Sequence, residues 1–476
     1  MTATADQRLS FLALVGLVVG SMIGAGIFAL PSAFARATGG LGGLIAWGIA
    51  GFGMLMLAFV FRTLSERKPE LDAGIYAYAK AGFGDYLGFS SALGYWTACC
   101  LADVALLVLL KATLGGFFPI FGEGTTLAAI LGASALVWGV HFLILRGVKQ
   151  AAALNSMVTV AKILPILVFI LVAGKAFRAD VFALNFWGGP VGDLANVFGQ
   201  VRQTMLVTVF VFVGIEGASV YSRYAKNRAD VGLATVVGFL GVLCLLVLVT
   251  MLSYGVLMQP GLAALRKPSM SGVMQAVVGS WGGLFISAGL VISVLGAYLS
   301  WALLAAEVVH SAALNETMPS FLAWENENQA PVAALWLSNI VIQVFLILAS
   351  FSEYAFTLAL KMTSAMVLIP YLLVAAYGLK LAGRGDTYED DARGRRIDWV
   401  CAAIATLYAG GMIYAGGMKF VLLSAVIYAP GSLLFVVAKR EKEQTVFSFA
   451  EGLVFGIFVA AAMAGVYGLI SGAISI

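Results

Sequence analysis

Five ionisable residues fall within stretches that are otherwise apolar: Asp103, Lys162, Glu216, Glu307 and Lys361. In a chain that is 61% hydrophobic and only 11% charged, that placement needs a reason. A charge at the centre of a bilayer costs at least ~2.5 kcal/mol on insertion scales and is kept where it works. Three carboxylates against two ammoniums leave the interior net negative when all are ionised, which favours a cationic ligand. His310 and Lys111 lie near the ends of apolar runs, where snorkelling accounts for them. The chemistry on offer is charge pairing rather than bond making. The only histidines are His141 and His310, no His-Glu-x-x-His sequence occurs, and Cys99, Cys100, Cys244 and Cys401 lack metal-ligand spacing. No cofactor or metal is implied, and a net charge of +4 spread over short loops forms no basic domain for nucleic acid.

The elements that must position these groups are membrane helices. With roughly 20 apolar residues needed to cross a bilayer core, the sequence predicts spans at 9–35, 41–61, 86–110, 126–145, 152–174, 200–222, 231–254, 283–310, 332–350, 353–379, 399–416, 419–438 and 449–474. Segments of this number and length are helices, because a lipid-exposed backbone must satisfy its own hydrogen bonds. No cleavage site follows the first apolar run, so the first helix is expected to be retained. Arg and Lys concentrate in alternate loops, which places residues 1–8 in the cytoplasm and an odd thirteenth helix's C-terminus outside.

Two spans look broken at corresponding places. The first holds Gly20-Ser-Met-Ile-Gly-Ala-Gly-Ile-Phe28 and ends at Pro31; the sixth holds Val213-Gly-Ile-Glu-Gly-Ala-Ser219. Each glycine weakens a helix by about 1 kcal/mol relative to alanine and lets a ligand approach the backbone. Taken singly, Gly16, Gly20 and Gly24 read equally well as close helix packing. Together the two segments open matching blocks of five spans, 9–174 and 200–379, with 399–438 supplying two more helices and 449–474 an additional one. Interrupted helices at matching positions of two halves mark a binding site at the bilayer midplane.

At these residues the chain resembles the amino acid–polyamine–organocation superfamily, within it the basic amino acid/polyamine antiporters. The likeness extends over about residues 10–440 and includes Ala73-Gly-Ile-Tyr-Ala-Tyr78 and Gly94-Tyr-Trp-Thr-Ala98. Tyr221-Ser-Arg-Tyr-Ala-Lys226 and the helix after 449 look most like the arginine/ornithine exchangers. The resemblance implies an all-α, five-plus-five inverted-repeat fold of about thirteen spans with discontinuous helices one and six. It also implies a site. The substrate carboxylate falls on backbone donors from Met22, Ile23, Gly24, Ala25 and Gly26, with Ala25 where some relatives carry serine, and Ser21 a weak substitute for that hydroxyl. The α-ammonium falls on carbonyls around Phe210 to Gly214, including Val213. Ala98, Cys99 and Asp103 face the distal end of the substrate, Asp103 pairing with its cation or else with a lysine such as Lys361. Phe210 and Trp301 stack on the stem, and Thr363 and Ser364 offer polar contacts.

Glu216 is expected to serve coupling or to tie spans one and six, and Lys162 to replace the positive charge that sodium supplies elsewhere. Glu307 binds a longer amine or pairs with Lys361. Pro69 to Gly84 and Thr317 to Pro331 read as cytoplasmic latches. The expectation is a non-enzymatic carrier in a bacterial inner membrane, exchanging arginine for ornithine, its partners a small cationic amino acid and the lipid bilayer. The oligomeric state stays open, a homodimer among the options. The alternatives are a proton-coupled importer and a lysine/cadaverine or histidine/histamine exchanger. An intramembrane hydrolase or a channel fits less well.

Overall fold

Ser10 opens the first helix by accepting a hydrogen bond from the Ala13 amide at 3.3 Å, and most of the described chain is helical. The computed structural model describes residues 10–71, 74–146, 148–216, 226, 229–351, 354–389 and 391–474, with side chains at all of these except 17, 148–160 and 229. Residues 1–8, Ala73, Gly217 to Ser219 and 221–225, invoked above, lie outside the described residues. The first block comprises α1 (Phe11–Met22), α2 (Gly26–Ala35), α3 (Gly40–Arg67), α4 (Ile75–Phe83), α5 (Asp85–Gly115), α6 (Leu127–Leu145) and α7 (Val148–Lys175). A short α8 (Ala179–Leu184) leads to the second block: α9 (Leu194–Phe210), α10 (Ala229–Tyr254), α11 (Gln259–Ala264), α12 (Ser269–Val278), α13 (Ser280–Leu314), α14 (Val332–Ala349) and α15 (Ala355–Arg384). Then come α16 (Ala392–Gly416), α17 (Met418–Glu441) and α18 (Phe449–Ile470).

Among the described residues ten helices are long and apolar enough to cross a membrane, and α1 with α2 makes one further span, bent by 47°. The 28-residue α7 and the 17-residue α9 stand beside them. Several helices overrun their predicted ends: α5 reaches Gly115 and α13 reaches Leu314, because tilted helices carry polar turns into the interface.

The second block repeats the packing of the first. α1 packs on α10 as α9 packs on α3; α1 meets α7 as α9 meets α15; α5 packs on α15 as α13 packs on α7. The short helices obey the same rule, α4 resting on α5 and α15 while α12 rests on α13 and α7. Even the joints match. Gly84 (φ 91°, ψ −175°) links α4 to α5, and Gly279 (φ 80°, ψ −170°) links α12 to α13, a conformation that excludes most side chains. Five crossings per block leave the chain on the opposite face, so the second copy runs inverted.

The first span reaches Ala35, the bound expected for it, by running through Pro31 rather than stopping there. The proline spoils the local ladder, and Ser269 of α12 repairs it. The Ser32 amide donates to Ser269 Oγ at 3.1 Å, and that hydroxyl donates to the Phe28 carbonyl at 3.4 Å. Breaks in transmembrane ladders persist where neighbouring side chains re-satisfy the freed groups.

Candidate functional site

Twelve residues of α1 carry the chain about 18 Å into the membrane, and there the helix stops. Residues 23–25 form the break, and α2 restarts at Gly26 with no side-chain cap on its first N–H groups. Such an end carries partial positive charge and binds anions. From the other direction α9 ends at Phe210, after which Val211 to Glu216 form a succession of turns. At Gly214, φ is +105°. Its carbonyl accepts from Ser21 Oγ at 2.7 Å, while Ser21 also donates to the Val18 carbonyl at 3.0 Å. The two breaks are therefore joined directly.

Around this junction lies a cavity of about 30 Å³, room for a water rather than an amino acid. Met22, Gly24, Ala25, Gly26, Phe210, Val213, Trp301 and Thr363 line it, all among the positions named from sequence. Ser21 and Val211, which fall within the segments read from sequence, line it too, as do Ala102 and Leu106, which were not placed there. Gly26 is needed for the approach of Phe210: a Cβ on it would sit 2.9 Å from that ring. Thr363 Oγ1 is committed to the Ala359 carbonyl at 2.8 Å, and Ser364 turns away to donate to the Leu206 carbonyl at 2.6 Å.

Ile23, Ala98, Cys99, Asp103 and Glu216 are buried nearby but do not line the cavity. Tyr95, Cys99, Ala102 and Leu106 recur at i, i+4, i+7 and i+11, along one face of α5. Asp103 is next to Ala102 and fully buried, and neither of its carboxylate oxygens has a hydrogen-bond partner among the described residues. It lies within electrostatic reach of Tyr298 on α13, yet that hydroxyl donates instead to Asn339 at 3.4 Å. Asn339 Nδ2 in turn pairs with His141 Nδ1 at 2.8 Å.

Glu216 is held from two sides. Tyr95 of α5 donates to Oε1 and Tyr371 of α15 donates to Oε2 at 2.8 Å, so the three side chains form a clasp across spans three, six and ten. Tyr95 lies seven residues before Ala102, about 10 Å along α5 toward α4. Neither tyrosine was singled out for this contact from sequence. Lys162 of α7 is buried and donates to the Gly20 carbonyl in the last turn of α1. Glu307 accepts from Ser311 at 3.4 Å. Lys361 stands instead over the Phe420 ring, 5.8 Å from its centroid, so the pairings of Lys361 with Asp103 or Glu307 do not form.

The two stretches read from sequence as latches meet each other. Thr317 Oγ1 donates to Tyr76 Oη at 2.9 Å, and Lys80 Nζ donates to the Asn315 carbonyl at 2.8 Å. Burial pushes the Tyr76 phenol up to about 12, which keeps it neutral and hydrogen-bonding at any physiological pH.

A first span broken at mid-membrane, with α9 giving way to turns beside that break around a central cavity in a polytopic helical bundle, defines a secondary transporter, a protein that moves its ligand without altering it. The profile of one family, described as amino acid permease, matches residues 9–437; the chain belongs to that family. An arginine/ornithine antiporter of Pseudomonas aeruginosa is 54% identical over 99% of both chains. An L-lysine transport protein of Corynebacterium glutamicum is 42% identical over 100% of this chain and 97% of its own. An arginine/agmatine antiporter of Chlamydia pneumoniae is 38% identical over 95% and 94%.

Proposed function

We propose that the chain exchanges cationic amino acids across a bacterial inner membrane, arginine entering as ornithine leaves. The observation that carries the substrate class is Asp103, a buried carboxylate with no hydrogen-bond partner among the described residues, one residue from the cavity wall. An ionised carboxylate in such a place is costly until a cation meets it, and the guanidinium or ammonium of the substrate is that cation. The zwitterionic head takes the junction: its carboxylate on N–H groups of Met22 to Gly26, the break that leads into α2, its ammonium on carbonyls around Phe210 to Gly214. Phe210 and Trp301 cover the stem, with Thr363 beside it. The relatives named as arginine/ornithine antiporters support the pair of substrates.

The cavity is far smaller than an amino acid, so loading requires the spans to part. In this reading spans one, two, six and seven, drawn from both repeats at 9–174 and 200–379, rock as a bundle against the scaffold of the other spans, while 399–438 and 449–474 stand outside the motion. The Tyr95–Glu216–Tyr371 clasp and the α4 latch bar the path at the end of the bundle where Arg67 pairs with Asp391 at 2.7 Å and Lys439 with Asp85 at 2.6 Å. Arg and Lys gather at that end, which supports placing it in the cytoplasm with residues 1–8. Lys162, fixed on Gly20, supplies the positive charge behind span one and removes any need for sodium.

Vesicles containing the protein, loaded with ornithine and held without sodium or a pH gradient, are expected to take up labelled arginine, whereas empty vesicles are not. Equal uptake into empty vesicles would replace exchange by uniport, and a requirement for sodium would remove the role given to Lys162. Loading with agmatine tests the amine-exchange reading that one relative's name favours, and loading with lysine tests the substrate that another's name gives.

A further inference from the structure

We infer that the protein carries a built site for one anionic phospholipid, distinct from the transport cavity. Its polar end is a cavity of about 380 Å³ where α16 turns into α17, bordered by Arg202 of α9, Lys361 of α15, the Gly416–Gly417 turn and Phe420. Three cations converge there. Lys361 and Lys419 share the Phe420 ring, at 5.8 and 5.6 Å from its centroid. Arg202 stacks over Tyr414 at 5.6 Å and donates to the Ala415 carbonyl at 3.4 Å. Neither Arg202 nor Lys361 has an acidic partner among the described residues. Two cations without an acidic partner among the described residues, Arg202 and Lys361, repel an incoming cationic amino acid and attract a phosphate.

What makes the phosphate a lipid's is the second half of the site. Leu206, Gly416 and Phe420 are shared with an adjoining apolar groove of about 120 Å³. Its walls are Ile369 of α15, Ile413 of α16, Val421 of α17, and Ile457 and Ala461 of α18. From Phe420 to Tyr428 the groove runs about 12 Å along α17, the depth to which the upper part of an acyl chain enters a leaflet. A cationic mouth at the membrane face continuous with an apolar slot along the helices matches a phospholipid with an anionic headgroup. The site also gives α18 a use. That helix buries only Gly465 and Gly468, yet it closes the groove.

The test uses the whole protein. Native mass spectrometry after purification in mild detergent is expected to find one retained phosphatidylglycerol per chain. Delipidated protein is then titrated with dioleoylphosphatidylglycerol, dioleoylphosphatidylethanolamine or potassium phosphate while Tm is followed, and only the first should raise it. The double variant R202Q/K361Q should weaken the phosphatidylglycerol response about thirtyfold, at ~1 kcal/mol for each cation. Ala461→Phe, which fills the groove away from the cations, should weaken it as well. A response to phosphate equal to that of the lipid, together with an unaffected Ala461→Phe variant, would make this a free-anion site. Equal retention of both lipids, or unchanged binding in both variants, would reduce it to ordinary boundary lipid.

Discussion

Asp103→Asn is expected to lower arginine/ornithine exchange at least a hundredfold while leaving the protein as stable as before, or more so. The two effects have opposite signs for one reason. In the empty carrier the carboxylate is buried with no hydrogen-bond partner among the described residues, so it contributes nothing to folding that the isosteric amide loses. In the loaded carrier it is the counter-charge of the substrate's distal cation, and removing one member of a buried pair costs about 3–5 kcal/mol. At ~1.4 kcal/mol per decade, that is two or three orders of magnitude in apparent affinity. The measurement is exchange in ornithine-loaded vesicles alongside Tm in detergent with and without arginine. A purely structural Asp103 would lower Tm and leave arginine's stabilising effect intact; wild-type exchange by the variant would end its assignment to substrate.

The parts of this machine that could be read from sequence are those written in residue type. Clustered glycines marked both breaks, because a helix that must open for a ligand loses side chains there, and the apolar runs marked the ten helices that, among the described residues, are long and apolar enough to cross a membrane. Lys162 stood out as a charge inside an apolar run, and it is buried with its ammonium on the Gly20 carbonyl. What escaped was rotation about a helix axis. α5 is apolar on every side and almost wholly buried, so no polar stripe states which face meets the cavity. Ala98 and Cys99 were therefore named where Ala102 and Leu106 line it. The same ambiguity hid the Tyr95 and Tyr371 grip on Glu216, since partners 121 and 155 residues away leave no local trace. Thr363 and Ser364 are neighbours in sequence, yet one borders the cavity and the other ties α15 to α9. Residue type announces that a group is special; only packing decides what it faces.

Gly214→Ala is the second change with a large expected effect, and it acts on the backbone alone. At φ +105° an L-residue is strained, by about 1–2 kcal/mol. The added Cβ would lie 2.8 Å from both the carbonyl carbon and the oxygen of Ser21 and 3.1 Å from the Met22 nitrogen, contacts with backbone that no rotamer change relieves. Overpacking of this kind costs a further 1–3 kcal/mol or so. The break of span six is thereby pushed off the break of span one, spreading the donors and acceptors that hold the two ends of the zwitterion. Exchange is expected to fall more than tenfold, with a lowered Tm. Ser21→Ala removes the hydroxyl that bonds the Gly214 carbonyl at 2.7 Å but leaves both backbones in place, so its cost should be near ~1 kcal/mol and its effect on exchange only a few-fold. Because both changes act on one contact, the double variant should resemble Gly214→Ala rather than the sum of the two. Full additivity would mean that the breaks work independently, and wild-type exchange by Gly214→Ala would mean that their close approach is not what holds the substrate.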